Sequence, residues 1–357
     1  MVNHIDRPSL ARSRPAKARI SRLNAALVAL LLVALTAGCQ APRASNAAPI
    51  KLALSAWPGW FPWYIAEEKG YFKEEGVPVE LVWFPVYSDS IQALSAGQVD
   101  ANSQTLGDTL GPLAEGVPLS IVLVNDNSAG NDAVIAKPEI QSLTDLRGKT
   151  VATELGAVDH FLLLMALDRV GMKESDINFV NMAVNDAAPA LIAGQLDAVA
   201  VWEPFLSQIK TSGKGKVLFD SSQAPGIIPD LLVMKSDVVK NRPDDVKKIL
   251  RAWYRSLDFI QQNPTEAMTI MAKHADTSLA EYRDFAHGTK LFSLDDNLTA
   301  FAPDKGDASL SVVSPKIGVF LKDHGLVDKV PEVTSSLHPE FVQALKQEGI
   351  KGAAPQP

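Results

Sequence analysis

Three of the six tryptophans fall within seven residues, in Trp57-Pro58-Gly59-Trp60-Phe61-Pro62-Trp63, and Tyr64 follows directly. The apolar run Leu52–Ala56 before them reads as a strand, and Pro62–Lys69 reads as the next helix. Helix packing accounts for Trp63 and Tyr64. It accounts less well for Trp57 and Trp60, which sit in a Trp-Pro-Gly-Trp turn at a strand's carboxyl end. Trp202 stands at the matching junction after a second apolar strand, Ala198–Val201, and Glu203 follows it. Gln104, Asp108 and Asp132 lie at further strand ends. Aromatic faces attract cations through the ring quadrupole, and carboxylates supply the flat, paired acceptors that a guanidinium-type plane requires. This combination predicts reversible capture of a small solute.

Groups for covalent or metal chemistry are missing from the sequence. The single cysteine is Cys39, so neither a disulfide nor a cysteine metal cluster is expected. There is no His-Glu-x-x-His pattern, Ser-His-Asp order or phosphate-cradling loop. His160 has no second histidine at ligand spacing, so it is expected to pack or hydrogen-bond locally, or to touch the solute. No catalysis, metal or cofactor is therefore expected.

Six basic residues up to Arg22 precede the apolar run Ala25–Leu35, and small residues lead to Cys39. This is the layout of an export signal, too short to span a bilayer. Leu35-Thr36-Ala37-Gly38-Cys39 resembles a bacterial lipobox. The expected organisation is a signal peptide at 1–38, then a lipidated Cys39 and tether at 39–48, placing the protein on the outer face of a membrane. Without the signal, 28 Lys/Arg face 40 Asp/Glu, a net charge of −12. That balance argues against a nucleic-acid partner.

The rest of the chain alternates strands and helices, which predicts an α/β fold of mainly parallel sheets covered on both faces. Two internal echoes suggest paired lobes. Ala93-Leu94-Ser95-Ala96-Gly97-Gln98-Val99-Asp100-Ala101 matches Ala190-Leu191-Ile192-Ala193-Gly194-Gln195-Leu196-Asp197-Ala198 at seven of nine positions. Asp132–Lys137 resembles Asp230–Lys235, and these segments are expected to be paired hinge strands. Lobe 1 then comprises 49–131 and 236–350, the hinge 132–137 and 230–235, and lobe 2 138–229, with a frayed tail at 351–357. In the helical C-terminal third, Asn241 is expected to cap a helix carrying Val246, Ile249, Leu250, Trp253, Leu257 and Ile260 on one buried face. Ligands of such sheets bind beyond the carboxyl ends of the strands, here between the lobes.

Together, Trp57-Pro58-Gly59-Trp60, Glu67-Glu68-Lys69-Gly70-Tyr71-Phe72, the Ala-Gly-Gln-x-Asp-Ala echo, Leu143–Lys149 and Trp202-Glu203-Pro204 resemble the nitrate/sulfonate/taurine-type substrate-binding proteins of bacterial ABC importers. The resemblance implies a type II periplasmic-binding-protein fold, with two doubly wound lobes joined by a two-segment hinge. It also implies a monomer that delivers its solute to a separate permease and ATPase. Sulfonate binders of this family resemble one another in a basic and hydroxyl-rich loop opening a lobe-2 helix. This chain has Glu154-Leu155-Gly156-Ala157-Val158-Asp159-His160 there. Carboxylates beside a buried anion repel it, so a cation is expected, although Asp159 could instead complement the helix dipole and Glu154 could be an exposed strand-end residue. The same segment and Asn125–Asp132 are similar to a subgroup associated with urea-carboxylase pathways, which makes guanidine the first expectation. Nitrate, taurine or an alkanesulfonate is the alternative. A pyrimidine-type binder or enzyme is more remote, because the related thiamin-pyrimidine synthase relies on a Cys-rich segment that this chain lacks.

Overall fold

The computed structural model describes Met1 and residues 48–354. Its first half-repeat consists of β1 (Ile50–Leu54), α1 (Pro62–Glu68), β2 (Val79–Trp83), α2 (Tyr87–Ser95), β3 (Ala101–Thr105), α3 (Leu106–Glu115) and β4 (Leu119–Ser128). The chain then crosses to β5 (Asp132–Ala136), β6 (Thr150–Thr153), α4 (Val158–Asp168), β7 (Asn178–Asn181), α5 (Val184–Ile192), β8 (Ala198–Trp202), α6 (Phe205–Ser212) and β9 (Lys216–Asp220). It returns through β10 (Pro229–Lys235) to the long helix α7 (Pro243–Gln262), the helices that follow it, and a short edge strand β11 (Thr289–Leu291).

Two sheets result, ordered β11-β4-β10-β3-β1-β2 and β9-β5-β8-β6-β7. Apart from β11 the plans match strand for strand. In each, one strand from the opposite half of the chain is inserted antiparallel among otherwise parallel strands: β10 between β3 and β4, and β5 between β8 and β9. The nine-residue echo falls on the equivalent junctions α2–β3 and α5–β8, and the second echo on the inserted strands β5 and β10.

Those inserted strands correct the expected hinge. Asp132–Ala136 and Asp230–Lys235 do not pair with each other; each lies inside a different sheet. The physical reason is their fully buried runs, Ala133-Val134-Ile135-Ala136 and Leu231-Leu232-Val233-Met234, which demand cover on both faces. The chain passes between sheets at residues 129–131 and 221–228 instead. Ser221 ties the two crossings, its hydroxyl meeting Ser128 Oγ at 2.7 Å and accepting the Gly130 N–H at 2.7 Å.

In α7 all six expected apolar positions are buried, contributing roughly 1.5–3 kcal/mol per large side chain. Trp253 packs on Trp63, with ring centroids 4.5 Å apart. The cap differs from expectation. Asn241 ends a preceding short helix, Arg242 is the cap residue, and Pro243 opens α7, where its missing N–H costs nothing.

Candidate ligand-binding site

Strand direction gathers the acids. In the parallel strands the carboxyl ends lie at one edge, and an inserted antiparallel strand brings its amino end to that edge. Asp230 therefore stands opposite Asp126 and Thr105 in the first sheet, and Asp132 stands opposite Trp202 in the second. Asp108 and Asp159 sit on the first turns of α3 and α4. Glu154 directly follows β6.

An aromatic wall is built on the turn after β1. Trp57 donates its indole N–H to Asp126 Oδ1 at 3.0 Å. Gly59 makes this possible, because a Cβ there would overlap the Asp126 carboxyl group. Trp60 lies 5.5 Å from Tyr87, and Tyr87 meets Trp202 edge-on at 5.6 Å, so the wall runs from one sheet's junction to the other's. Trp57, Trp60, Tyr87, Trp202, Asp132 and Asp230, with smaller neighbours, enclose a cavity. It is small, with about 270 Å³ of space between and in front of these side chains. Only a solute of a few heavy atoms suits it.

The electrostatics are one-sided. Asp108, Asp126, Asp132, Glu154, Asp159, Glu203 and Asp230 are all buried, and among the described residues no lysine or arginine is. Burial raises every one of these acids. Asp108 is pushed up to about 6, against hydrogen bonds from Tyr87, Thr105 and the Val158 N–H. Glu154 is pushed up to about 7 by burial and then by Asp108, against the Ser88 N–H. Asp126, Asp132, Asp159 and Asp230 are raised by burial, with neighbouring carboxylates adding to it. Both Asp159 oxygens, and one oxygen each of Asp126, Asp132, Glu154 and Asp230, are buried without a partner, which costs roughly 1–3 kcal/mol apiece.

Two of these acids face helix N-termini, where an anion is otherwise held. The Val158 N–H that opens α4 opposes the rise of Asp108, and the Ser88 N–H in the first turn of α2 opposes that of Glu154. Each sheet's acid thus faces the other's helix end.

The remaining sequence candidates lie elsewhere. His160 uses both ring nitrogens locally, accepting the Gly156 N–H at 3.1 Å and meeting Glu174 at 2.5 Å, and it stacks on Phe179. Gln104 donates to Thr109 and accepts from Asn102 inside the first lobe. Glu203 accepts from the Ser207 N–H and hydroxyl at 2.9 and 2.8 Å and does not line the cavity. Asp126, Asp230 and Tyr87 were not singled out as ligand contacts in the sequence. For Asp230 the signal was present: it opens the echo of which Asp132 is the counterpart. Among the described residues no group of His, Cys, Asp and Glu is arranged to hold a metal ion, and no helix is long and apolar enough to cross a membrane. Cys39 lies outside the described residues.

Two twin α/β lobes with a small cavity at their facing strand ends define the type II periplasmic-binding fold. The chain belongs to the NMT1/THI5-like family, whose profile matches residues 57–267. A putative binding protein of Brucella abortus is 29% identical over 215 residues, covering 58% of this chain and 66% of that protein. The chain thus spans about two thirds of that relative's length. The taurine-binding periplasmic protein of Escherichia coli is 26% identical over 245 residues, 65% of this chain and 70% of that one. The alkanesulfonate-binding protein of Xanthomonas axonopodis pv. citri, bound to MOPS, has a TM-score of 0.67 at 18% identity, covering 82% of this chain and 99% of that chain.

Proposed function

We propose that this chain is the extracytoplasmic solute-binding component of an ABC importer, acting with a separate permease and ATPase, and that it binds a small nitrogen-rich cation, guanidine first. Family membership and the relatives' names support the importer role. The cation reading is supported above all by one observation: an aromatic cavity lined by the buried carboxyl groups of Asp132 and Asp230, each with an unpartnered oxygen, with no buried lysine or arginine among the described residues. A planar cation with N–H donors satisfies both the ring faces and those oxygens. Capture is reversible closure of the lobes about the crossings at 129–131 and 221–228, tied through Ser221. A lipid anchor at Cys39 belongs to the same proposal, and is read out by how much Cys39→Ser protein stays with membranes.

A second reading, an anion such as taurine or an alkanesulfonate, is favoured by the named ligands of the relatives. The acids facing both helix N-termini weigh against it. Calorimetric titration of the mature protein with guanidinium chloride, taurine, an alkanesulfonate and nitrate separates the two. The expected result is saturable binding of guanidinium alone. Tight binding of a sulfonate or nitrate without guanidinium binding overturns the cation reading.

A further inference from the structure

Each lobe brings two buried carboxyl groups into mutual contact. In the first lobe Asp126 and Asp230 stand opposite each other in the β4–β10 ladder, with their side chains at hydrogen-bond range. In the second, Asp132 at the head of β5 meets Asp159 on the first turn of α4 in the same way. All four are buried, with at most 2% exposure. Two ionised carboxylates can only accept, so such a contact is attractive only while one proton lies between them.

The surroundings offer few other donors. Trp57 serves Asp126, and the Ser128 hydroxyl serves Asp132. Asp159 has no donor on either oxygen. The titratable groups facing the pairs are acids or phenols. Asp108 acts on Asp132, Asp159 and Asp230, Glu203 on Asp132, and Glu154 on Asp159. Tyr282 faces Asp126 and Tyr87 faces Asp230. His160 is turned to Glu174. No buried lysine or arginine among the described residues neutralises either pair. Asp132 and Asp230, one from each pair, line the cavity.

We infer that capture is a one-for-one exchange, in which one guanidinium-type cation enters between the Asp126–Asp230 and Asp132–Asp159 pairs and one carboxyl proton leaves for solvent. The inference rests on the cation reading. One carboxyl O–H breaks heterolytically, its electron pair stays on oxygen, and its proton passes to the buffer. Ligand N–H groups then donate where the proton did. The net charge of the buried site is unchanged, which is the least costly outcome where desolvation penalises any added charge.

The test is calorimetry of the mature protein with guanidinium chloride near pH 7, in buffers of different ionisation enthalpy. The observed heat should vary linearly with that enthalpy, with a slope of about one released proton, and affinity should rise about tenfold per pH unit between roughly pH 5.5 and 7. In Asp159→Asn or Asp230→Asn, whichever disables the pair that supplies the proton, the slope should fall to near zero while weakened binding persists. Guanidinium binding with no slope in the wild type overturns the exchange and leaves the cation reading standing. A slope that survives in both variants also overturns it. Absence of guanidinium binding alongside binding of taurine or nitrate overturns both.

Discussion

At the end of β1, Trp57 gives its indole N–H to Asp126, and the bare backbone of Gly59 lets the two close together. At the end of β6, the equivalent strand, Glu154 and Asp159 bring only acceptors, and Asp159 is left without a single hydrogen-bond donor. The two halves share one strand plan, yet the first is the more nearly finished: one oxygen each of Asp126 and Asp230 is unpartnered there, against both oxygens of Asp159 and one each of Asp132 and Glu154 in the second. A finished half is preorganised: its ring faces and its acid are held whether or not a ligand is present. The unfinished half holds buried, unpaired acceptors whose cost is relieved only when donors arrive. On the proposed cation reading, shape selection is then expected chiefly from the first lobe, and the larger electrostatic share of affinity from the second.

The strongest way to break this comparison is to remove an acid of the second lobe and, separately, a donor of the first. Asp132→Ala should weaken guanidinium binding by about 2–5 kcal/mol, the usual cost of deleting one partner of a desolvated charge pair. Trp57→Phe keeps a ring face and loses one hydrogen bond, so it should cost about 1 kcal/mol. Equal losses in calorimetry would erase the division of labour. An effect of intermediate size is expected on stability from Gly59→Ala, whose new methyl group runs into the Asp126 carboxyl group. Overpacking of this kind costs roughly 1–3 kcal/mol, and the ligand-free melting temperature should fall by several degrees. An unchanged melting temperature would mean that Asp126 moves aside freely and that the first lobe is not preorganised.

Much of this was legible in the sequence, for identifiable reasons. Alternating apolar runs gave the two sheets, and the nine-residue echo gave their equivalence, because helix, glycine and buried strand follow local rules. The apolar face of α7 was legible from its spacing alone. The Asp132 and Asp230 segments were correctly paired as counterparts and wrongly taken as hinges. Periodicity reveals a buried strand but not which sheet receives it, since that depends on partners far away in the chain. Of the residues that strand-end logic singled out, Trp57, Trp60, Trp202 and Asp132 line the cavity, whereas Asp108, Glu154 and Asp159 are buried outside its lining. His160 and Gln104 fall elsewhere, because a helix's rotation decides which residue of its first turn faces the cleft and hydrogen-bond partners decide where a polar side chain points. Asp126 was obscured for a related reason. Its run Asn125-Asp126-Asn127-Ser128 looks like a polar loop, yet it is the buried end of β4, paired on both sides by β10 and β11.

The smallest expected effect sharpens the comparison most, because stability and binding should move in opposite directions. Burial, then Asp132, raises Asp159 well above the ordinary carboxyl range. Between an unfolded value of about 3.9 and the raised folded value, the folded chain holds more proton than the unfolded one. The stability from this group is therefore fully present below about pH 4 and is lost as pH rises through the folded value. Asp108, at about 6, and Glu154, at about 7, carry the same sign. Asp159→Asn cannot ionise, and its amide donates to Asp132, so the ligand-free variant should be the more stable protein at pH 8 by on the order of 1 kcal/mol. The advantage should shrink towards pH 5. Exposed carboxylates such as Asp145 and Glu281, held below their usual range by hydrogen bonds, drive wild type and variant alike in the other direction, so their contribution cancels in the difference. Thermal melts of both proteins across pH 5 to 8, without ligand, measure that difference directly. A variant that melts lower than the wild type at pH 8 would show that Asp159 is already satisfied in the empty protein, and that the second lobe is as finished as the first.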